Sequence, residues 1–125
     1  MTKARKATLE ALKQSKQPLT ATEVHKIINL KCNVVTVYRN LSYLESIGKA
    51  TSFVYSCAEN GTQRYYSSEH SHFFHCERCH SFTNLGSCKL EPLLDEYHSK
   101  LGLIINNHTL NLSGICPRCL KEEKL

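Results

Sequence analysis

The sequence predicts an α+β protein in two parts: an N-terminal winged helix, that is a helix-turn-helix with a β-hairpin wing, and a small α/β unit held by a structural zinc. Three features predict it. Helix signals and then a hairpin signal follow one another up to Tyr66, the charge changes sign there, and two Cys-x-x-Cys pairs, Cys76/Cys79 and Cys116/Cys119, lie beyond it. With 125 residues the chain makes one domain or two small ones. A second domain of such size needs something other than a large apolar core to hold it together.

Thr8 to Ser15 belongs to a short basic helix with Leu9 and Leu12 on one side, stopped by Pro18. Thr20-Ala21-Thr22-Glu23 fits a capping box, in which the Thr hydroxyl takes an early backbone N–H and the Glu returns to the cap. The second helix therefore starts there, with Ala21, Val24, Ile27 and Ile28 on one face. The pattern breaks around Lys31-Cys32-Asn33. A third helix runs from about Val35 to Ser46, burying Val37, Leu41, Leu44 and Ile47 before Gly48 ends it. Ala50 to Tyr55 alternates as a strand, and Asn60-Gly61 ahead of Arg64-Tyr65-Tyr66 signals a hairpin. Three helices and a hairpin in this order form a winged helix, whose third helix is the one that enters a DNA major groove.

Beyond Ser67, His70 to Cys76 and Ser81 to Leu85 read as short strands. Leu90 to Leu101 reads as a helix with Leu93, Leu94, Tyr97 and Leu101 on one face, and Leu103 to Leu112 as a strand leading to the second Cys pair and a short charged tail. These boundaries give domains at 1–66 and 70–125 with a hinge at 67–69. Residues 1–66 carry ten Lys and Arg against four acids, a net of +6, whereas residues 67–125 are close to neutral with six against seven. A basic half beside a neutral half implies that one of them binds a polyanion.

Met1 to Leu19 holds no apolar stretch of the signal-peptide kind, and no apolar run approaches the roughly 18 residues of a membrane span. A cytoplasmic location follows as the expectation, and in a reducing compartment clustered thiols serve as metal ligands or redox groups rather than disulfides. Cys116-Pro117-Arg118-Cys119 resembles a redox pair in isolation, but no thioredoxin-type order of strand and helix surrounds it. A zinc deaminase would place Pro before its second pair, whereas Pro117 falls inside. Four thiolates closing on one tetrahedral ion leave no open position for a substrate, so the pairs read as a structural zinc site. The 36 residues between Cys79 and Cys116 must then fold back to bring the pairs together. Histidines form a second cluster: His70 and His72, which share a face of an extended chain, His75, which points the other way, and His108.

Val35-Thr36-Val37-Tyr38-Arg39-Asn40-Leu41, followed by Leu44 and Gly48, resembles the recognition helix of the ferric uptake regulator (Fur) family. His70-x-His72 ahead of Cys76/Cys79, and His108 ahead of Cys116/Cys119, resemble the metal-binding half of the same family. The resemblance runs from about Thr20 to Cys119. It implies a homodimer, a C-terminal dimerisation domain with the structural zinc on Cys76, Cys79, Cys116 and Cys119, and a regulatory metal on His70, His72, Glu91 and His108. It implies no enzymatic activity but a repressor of metal uptake or homeostasis genes that binds double-stranded operator DNA. On that reading Thr36, Tyr38 and Arg39 belong to the DNA-binding residues, Tyr38 on a thymine methyl and Arg39 on a phosphate or guanine, and the basic Lys3, Arg5 and Lys6 add phosphate or minor-groove contacts.

A hinge sensing site of the iron and peroxide branches typically uses a His and two acids, where this chain has Pro18, Tyr66 and Asn84. Cys57 or Cys88 would serve there instead. Thiolate in place of carboxylate favours zinc over iron or manganese as the second metal, and so the zinc-responsive branch. The alternatives are an iron-responsive or peroxide-sensing member, a zinc enzyme with an open position at the His/Glu91 site, and a zinc-stapled interaction module without a DNA role.

Overall fold

The computed structural model describes residues 2–29, 32–59 and 61–123, in two compact units, Met1–His70 and Ser71–Leu125. Leu30, Lys31 and Asn60, and with them the expected helix break at Lys31 and half of the hairpin signal, lie outside the described residues.

The first unit runs α1 (Lys3–Gln14), α2 (Ala21–Ile28), α3 (Val34–Ser46), β1 (Thr51–Cys57) and β2 (Gly61–Ser67). Helix α1 begins earlier than its apolar pattern suggests, because Thr2 caps it by accepting the Arg5 N–H at 3.2 Å. The capping box of α2 is present: Thr20 Oγ1 accepts from Glu23 N at 3.2 Å, and Glu23 Oε1 accepts from Thr20 N at 2.9 Å. Asn33 caps α3 through its side chain on Thr36 N, and Gly48, in the left-handed region at φ 75°, ends it. The core is one cluster of Leu9, Leu12, Leu19, Val24, Val37, Leu41, Leu44 and their neighbours. Two residues depart from the expected inward faces. Ile27 is 56% exposed, and Ile47 is 42% exposed because it is the C-cap residue, where the chain leaves the helical path.

Strands β1 and β2 pair antiparallel from Thr51↔Ser67 to Cys57↔Gly61, with Ala58 and Glu59 in the turn of the wing. A bridge between Leu19 and Tyr66, bonded in both directions at 2.9 and 2.7 Å, ties the strand base to the segment between α1 and α2. This is the winged-helix arrangement.

The second unit contains β3 (Phe73–Cys76), β4 (Phe82–Asn84), α4 (Glu91–Leu101), β5 (Asn111–Gly114) and α5 (Pro117–Glu123). Its sheet has the order β4-β3-β5, β3 pairing antiparallel to β4 and parallel to β5. The expected strand at 103–112 forms only from Asn111, because within the described residues of the chain β3 offers a ladder partner no further than Phe73. The expected charged tail begins as helix α5. Helix α4 has the predicted span but buries none of its residues.

The division of α3 into an inward and an outward face gives a direct test. Leu41→Ala should lower the unfolding free energy by about 2–5 kcal/mol, and Val35→Ala, at a position 51% exposed, should change it by no more than about 0.5 kcal/mol. Urea unfolding followed by circular dichroism measures both. Equal losses would refute the division.

Candidate functional site

The thiol cluster is assembled by strand register. Cys76 ends β3 and Gly114 ends β5, and the two are partners in a parallel ladder. Both Cys-x-x-Cys turns therefore leave the sheet at the same end, which is how the long interval closes. The Sγ atoms of Cys76, Cys79, Cys116 and Cys119 all lie within 4.8 Å of one another, with Cys79 and Cys116 3.8 Å apart. A tetrahedral ion with Zn–S bonds of about 2.3 Å needs sulfur pairs about 3.8 Å apart. Donor type, number and spacing all fit zinc.

The electrostatics of the cluster point the same way. Cys76 Sγ accepts the backbone N–H groups of Arg78, Cys79 and Cys116 at 3.4 to 3.5 Å. These bonds, Cys79's foremost, lower its pKa to about 5. Burial, followed by the neighbouring thiols, pushes Cys119 up to about 12. The fold thus favours thiolate at Cys76 and, chiefly through the Ser81 hydroxyl, at Cys79, while it opposes charge at Cys119 unless a cation compensates it. Arg118 contributes positive charge: its guanidinium hydrogen-bonds Cys79 and Cys119, which raises its own pKa.

A second donor cluster lies nearby in the chain. His72 Nε2, Cys88 Sγ and His108 Nε2 form a triangle with sides of 3.3, 3.3 and 3.2 Å. His72 is buried, and Cys88 and His108 are half-buried. His70, two residues before His72, offers the fourth donor of a group whose ligand atoms all lie within 4.8 Å of one another. Neither His70 nor His72 is on a strand, since β3 starts at Phe73, but the extended chain still brings both to one place. Glu91, the expected carboxylate, is not in this group. It is the exposed first residue of α4, and Cys88, three positions earlier, stands in the cluster instead. His75 faces elsewhere, its ring packed on Phe82 at 4.8 Å and His80 at 5.4 Å between centroids. Burial, with His80 adding to it, lowers its pKa.

On the first unit, α3 presents Val35, Tyr38, Arg39 and Ser42 outward at helical spacing. Tyr38 is 48% exposed, so it is not a core residue. Thr36 sits lower, its N–H and hydroxyl both on the Asn33 side chain at 3.0 and 3.3 Å. Val35 and Ser42 belong to the outward stripe and were not singled out from sequence, although their spacing from Tyr38 and Arg39 marks them. Lys3 and Lys6 are exposed on α1. Arg5, expected among the DNA contacts, is instead half-buried with its guanidinium 4.0 Å from the centroid of the Tyr43 ring, a cation–π contact that joins α1 to α3.

The sequence pattern of the ferric uptake regulator family matches residues 1–113. The chain belongs to this family. Its members are transcriptional regulators that respond to metals, not enzymes. A curated relative, the ferric uptake regulation protein of Neisseria gonorrhoeae, is 26% identical over 117 residues, 90% of this chain and 79% of the relative. The Campylobacter jejuni peroxide stress regulator has a similar structure, with a TM-score of 0.70 at 21% identity over 93% of this chain and 88% of the other. So does a zinc uptake regulator complexed with zinc and DNA, with a TM-score of 0.68 at 20% identity over 99% and 85%. The structures share the fold with this Fur-family chain across regulators named for different signals.

Cys119→Ser is expected to remove the tightly held metal ion and to unfold the second unit while the first remains folded, because that unit has few buried apolar residues besides the thiols. Metal analysis with hydrogen exchange reads both effects; a full complement of metal in the variant would break the four-thiolate assignment. Arg5→Ala should cost about 0.5–1 kcal/mol of stability, since the lost contact is with Tyr43. Thermal unfolding measures it, and an unchanged midpoint would return Arg5 to the DNA-binding list.

Proposed function

We propose that this protein is a zinc-responsive transcriptional repressor, cytoplasmic and dimeric, that controls genes of metal uptake or homeostasis. The observation that carries the reading is the second donor cluster, which holds three imidazoles and, among the described residues, no carboxylate. Carboxylate oxygen suits manganese(II), and the family resemblance implies two acids in the iron branch's sensing site, whereas imidazole joined by sulfur suits zinc. In this reading zinc in the four-thiolate site is permanent and structural, and His70, His72 and His108 hold the exchangeable effector.

Exposed apolar surface supports the dimer. Helix α4 shows Leu93, Tyr97 and Leu101 to solvent, and Leu103, Ile104 and Ile105 follow, with Ile104 79% exposed. A second copy of the chain is the proposed cover, supplying for 103–110 the strand partner that the described residues of this chain do not. Two copies then present two α3 helices to successive turns of one DNA groove face. Tyr38 meets a thymine methyl group and Arg39 a guanine edge or phosphate, with Lys3 and Lys6 on the backbone. The effector acts through a coupling free energy between metal and DNA sites, so operator DNA must tighten the second zinc by the same factor as zinc tightens DNA.

The test uses a DNA fragment selected from a random pool by the zinc-loaded protein. Fluorescence anisotropy should show operator affinity rising with zinc and not with iron(II) or manganese(II), at constant structural zinc. Affinity indifferent to the second metal would overturn the reading. Arg39→Ala should lose about 1–3 kcal/mol of selective binding. Lys6→Ala should weaken selected and random DNA alike, with a salt slope shallower by about one. Full affinity in both variants would remove α3 and α1 from the interface.

A further inference from the structure

We infer that Cys88 is a ligand of the second metal, in the place that the family resemblance implies for Glu91, so that the site is a closed tetrahedron of one thiolate and three imidazoles. This deepens the effector reading above and rests on it only for the site's regulatory role.

The three contacts among His72 Nε2, Cys88 Sγ and His108 Nε2 cannot all be well-formed hydrogen bonds at once. The Nε2 of a neutral imidazole either donates or accepts, along a single direction in the ring plane. Here each Nε2 has two partners at 3.2–3.3 Å, on different sides of the triangle. A single ion resolves the geometry by taking one lone pair from each corner. The centre of such a triangle is about 1.9 Å from every corner, and an ion slightly out of the plane meets zinc distances of about 2.0–2.1 Å to nitrogen and about 2.3 Å to sulfur. His70 is the remaining donor of the group.

Local structure explains why Cys88 arrives there. Leu85 N donates to His72 O at 2.9 Å, which holds the segment after β4 against the histidine. Gly86 then turns the chain at φ 85°, its N–H on Asn84 Oδ1 at 2.8 Å, and Cys88 follows two residues later. Glu91 has a different task. It is the acidic residue in the first turn of α4, where a carboxylate offsets the partial positive charge of the helix start. With a divalent ion, one thiolate and three neutral imidazoles the site carries a single net positive charge. It has no vacant position, which suits binding and release but not turnover.

Cobalt(II) is the probe, because its spectrum reports both sulfur ligation and coordination number. The full-length protein with its structural zinc in place is titrated with cobalt(II), zinc content being followed throughout. The expected result is one further equivalent of metal per chain, with a near-ultraviolet sulfur-to-cobalt charge-transfer band and the strong visible bands of four-coordinate cobalt. Cys88→Ser should lose the charge-transfer band and bind cobalt and zinc more than tenfold more weakly, beyond the lower end of the roughly 10–100-fold that loss of an outer-shell partner costs. Glu91→Gln and Cys57→Ser should keep both band and affinity. Circular dichroism and a retained structural zinc establish that each variant is folded. A charge-transfer band persisting in Cys88→Ser, or metal lost by Glu91→Gln and kept by Cys88→Ser, would overturn the assignment. Operator binding is measured separately: wild-type protein that shows the cobalt–sulfur band while its DNA affinity ignores the metal leaves Cys88 a ligand and removes the regulatory reading alone.

Discussion

The parallel pairing of β3 with β5 is the constraint on which the second unit depends. It sets Cys76 opposite Gly114, and from that register both Cys-x-x-Cys turns project from one sheet end. Among the described residues of this unit few side chains are buried besides the thiols: Phe73, Phe82, His72 and His75. An apolar core of that size cannot offset the entropy of ordering some fifty residues, estimated at about 1.5 kcal/mol each. Cross-linking by an ion addresses the deficit, and the cluster is built to accept one. Three backbone N–H groups stabilise charge on Cys76, and burial resists charge on Cys119. The result is a site that is incomplete electrostatically until a cation enters.

The first unit solves the same problem by other means. Its apolar cluster is continuous and mostly aliphatic, drawn from all three helices, from Leu19 and Ala50, and from Tyr66 of the wing. Because Val37, Leu41 and Leu44 spend one face of α3 on this core, the opposite face is committed outward with Val35, Tyr38 and Arg39. The positive charge of the unit is not all available to a polyanion. Arg5 lies on Tyr43, and Arg64 donates to Ser52, which in turn donates to Glu45. Such contacts engage two of the basic side chains within the fold, Arg64 while still exposed, and Lys3, Lys6 and Arg39 are exposed too.

The second donor cluster differs in kind from the first. The thiols are fixed by a sheet ladder and by tight turns, whereas His70, His72, Cys88 and His108 all come from segments without regular structure. A main-chain bond from Leu85 to His72 and the turn at Gly86 supply the order that strands supply elsewhere. Loosely framed ligands suit an ion that exchanges, and tightly framed ones suit an ion that stays.

Much of this could be read from residue types and spacing. The capping box at Thr20, the stop at Gly48 and the inward face of α3 depend on interactions within a few residues, and so are written locally. The doubled Cys-x-x-Cys needed only donor chemistry to suggest its purpose. What the linear pattern could not supply were contacts made across long intervals. The family resemblance points to Glu91 and not to Cys88 three residues before it, and only the path of the chain after β4 decides which reaches His72. Arg5 reads as one more basic residue until α3 brings Tyr43 beneath it. The alternation of Leu103 to Leu112 satisfies strand chemistry, yet a strand exists only where a neighbouring backbone completes its hydrogen bonds, and the chain provides that neighbour from Asn111 onward. Local propensity and donor identity determined the elements and the chemistry, and tertiary structure decided which atoms share a point in space, because coordination and pairing are properties of distance rather than of sequence.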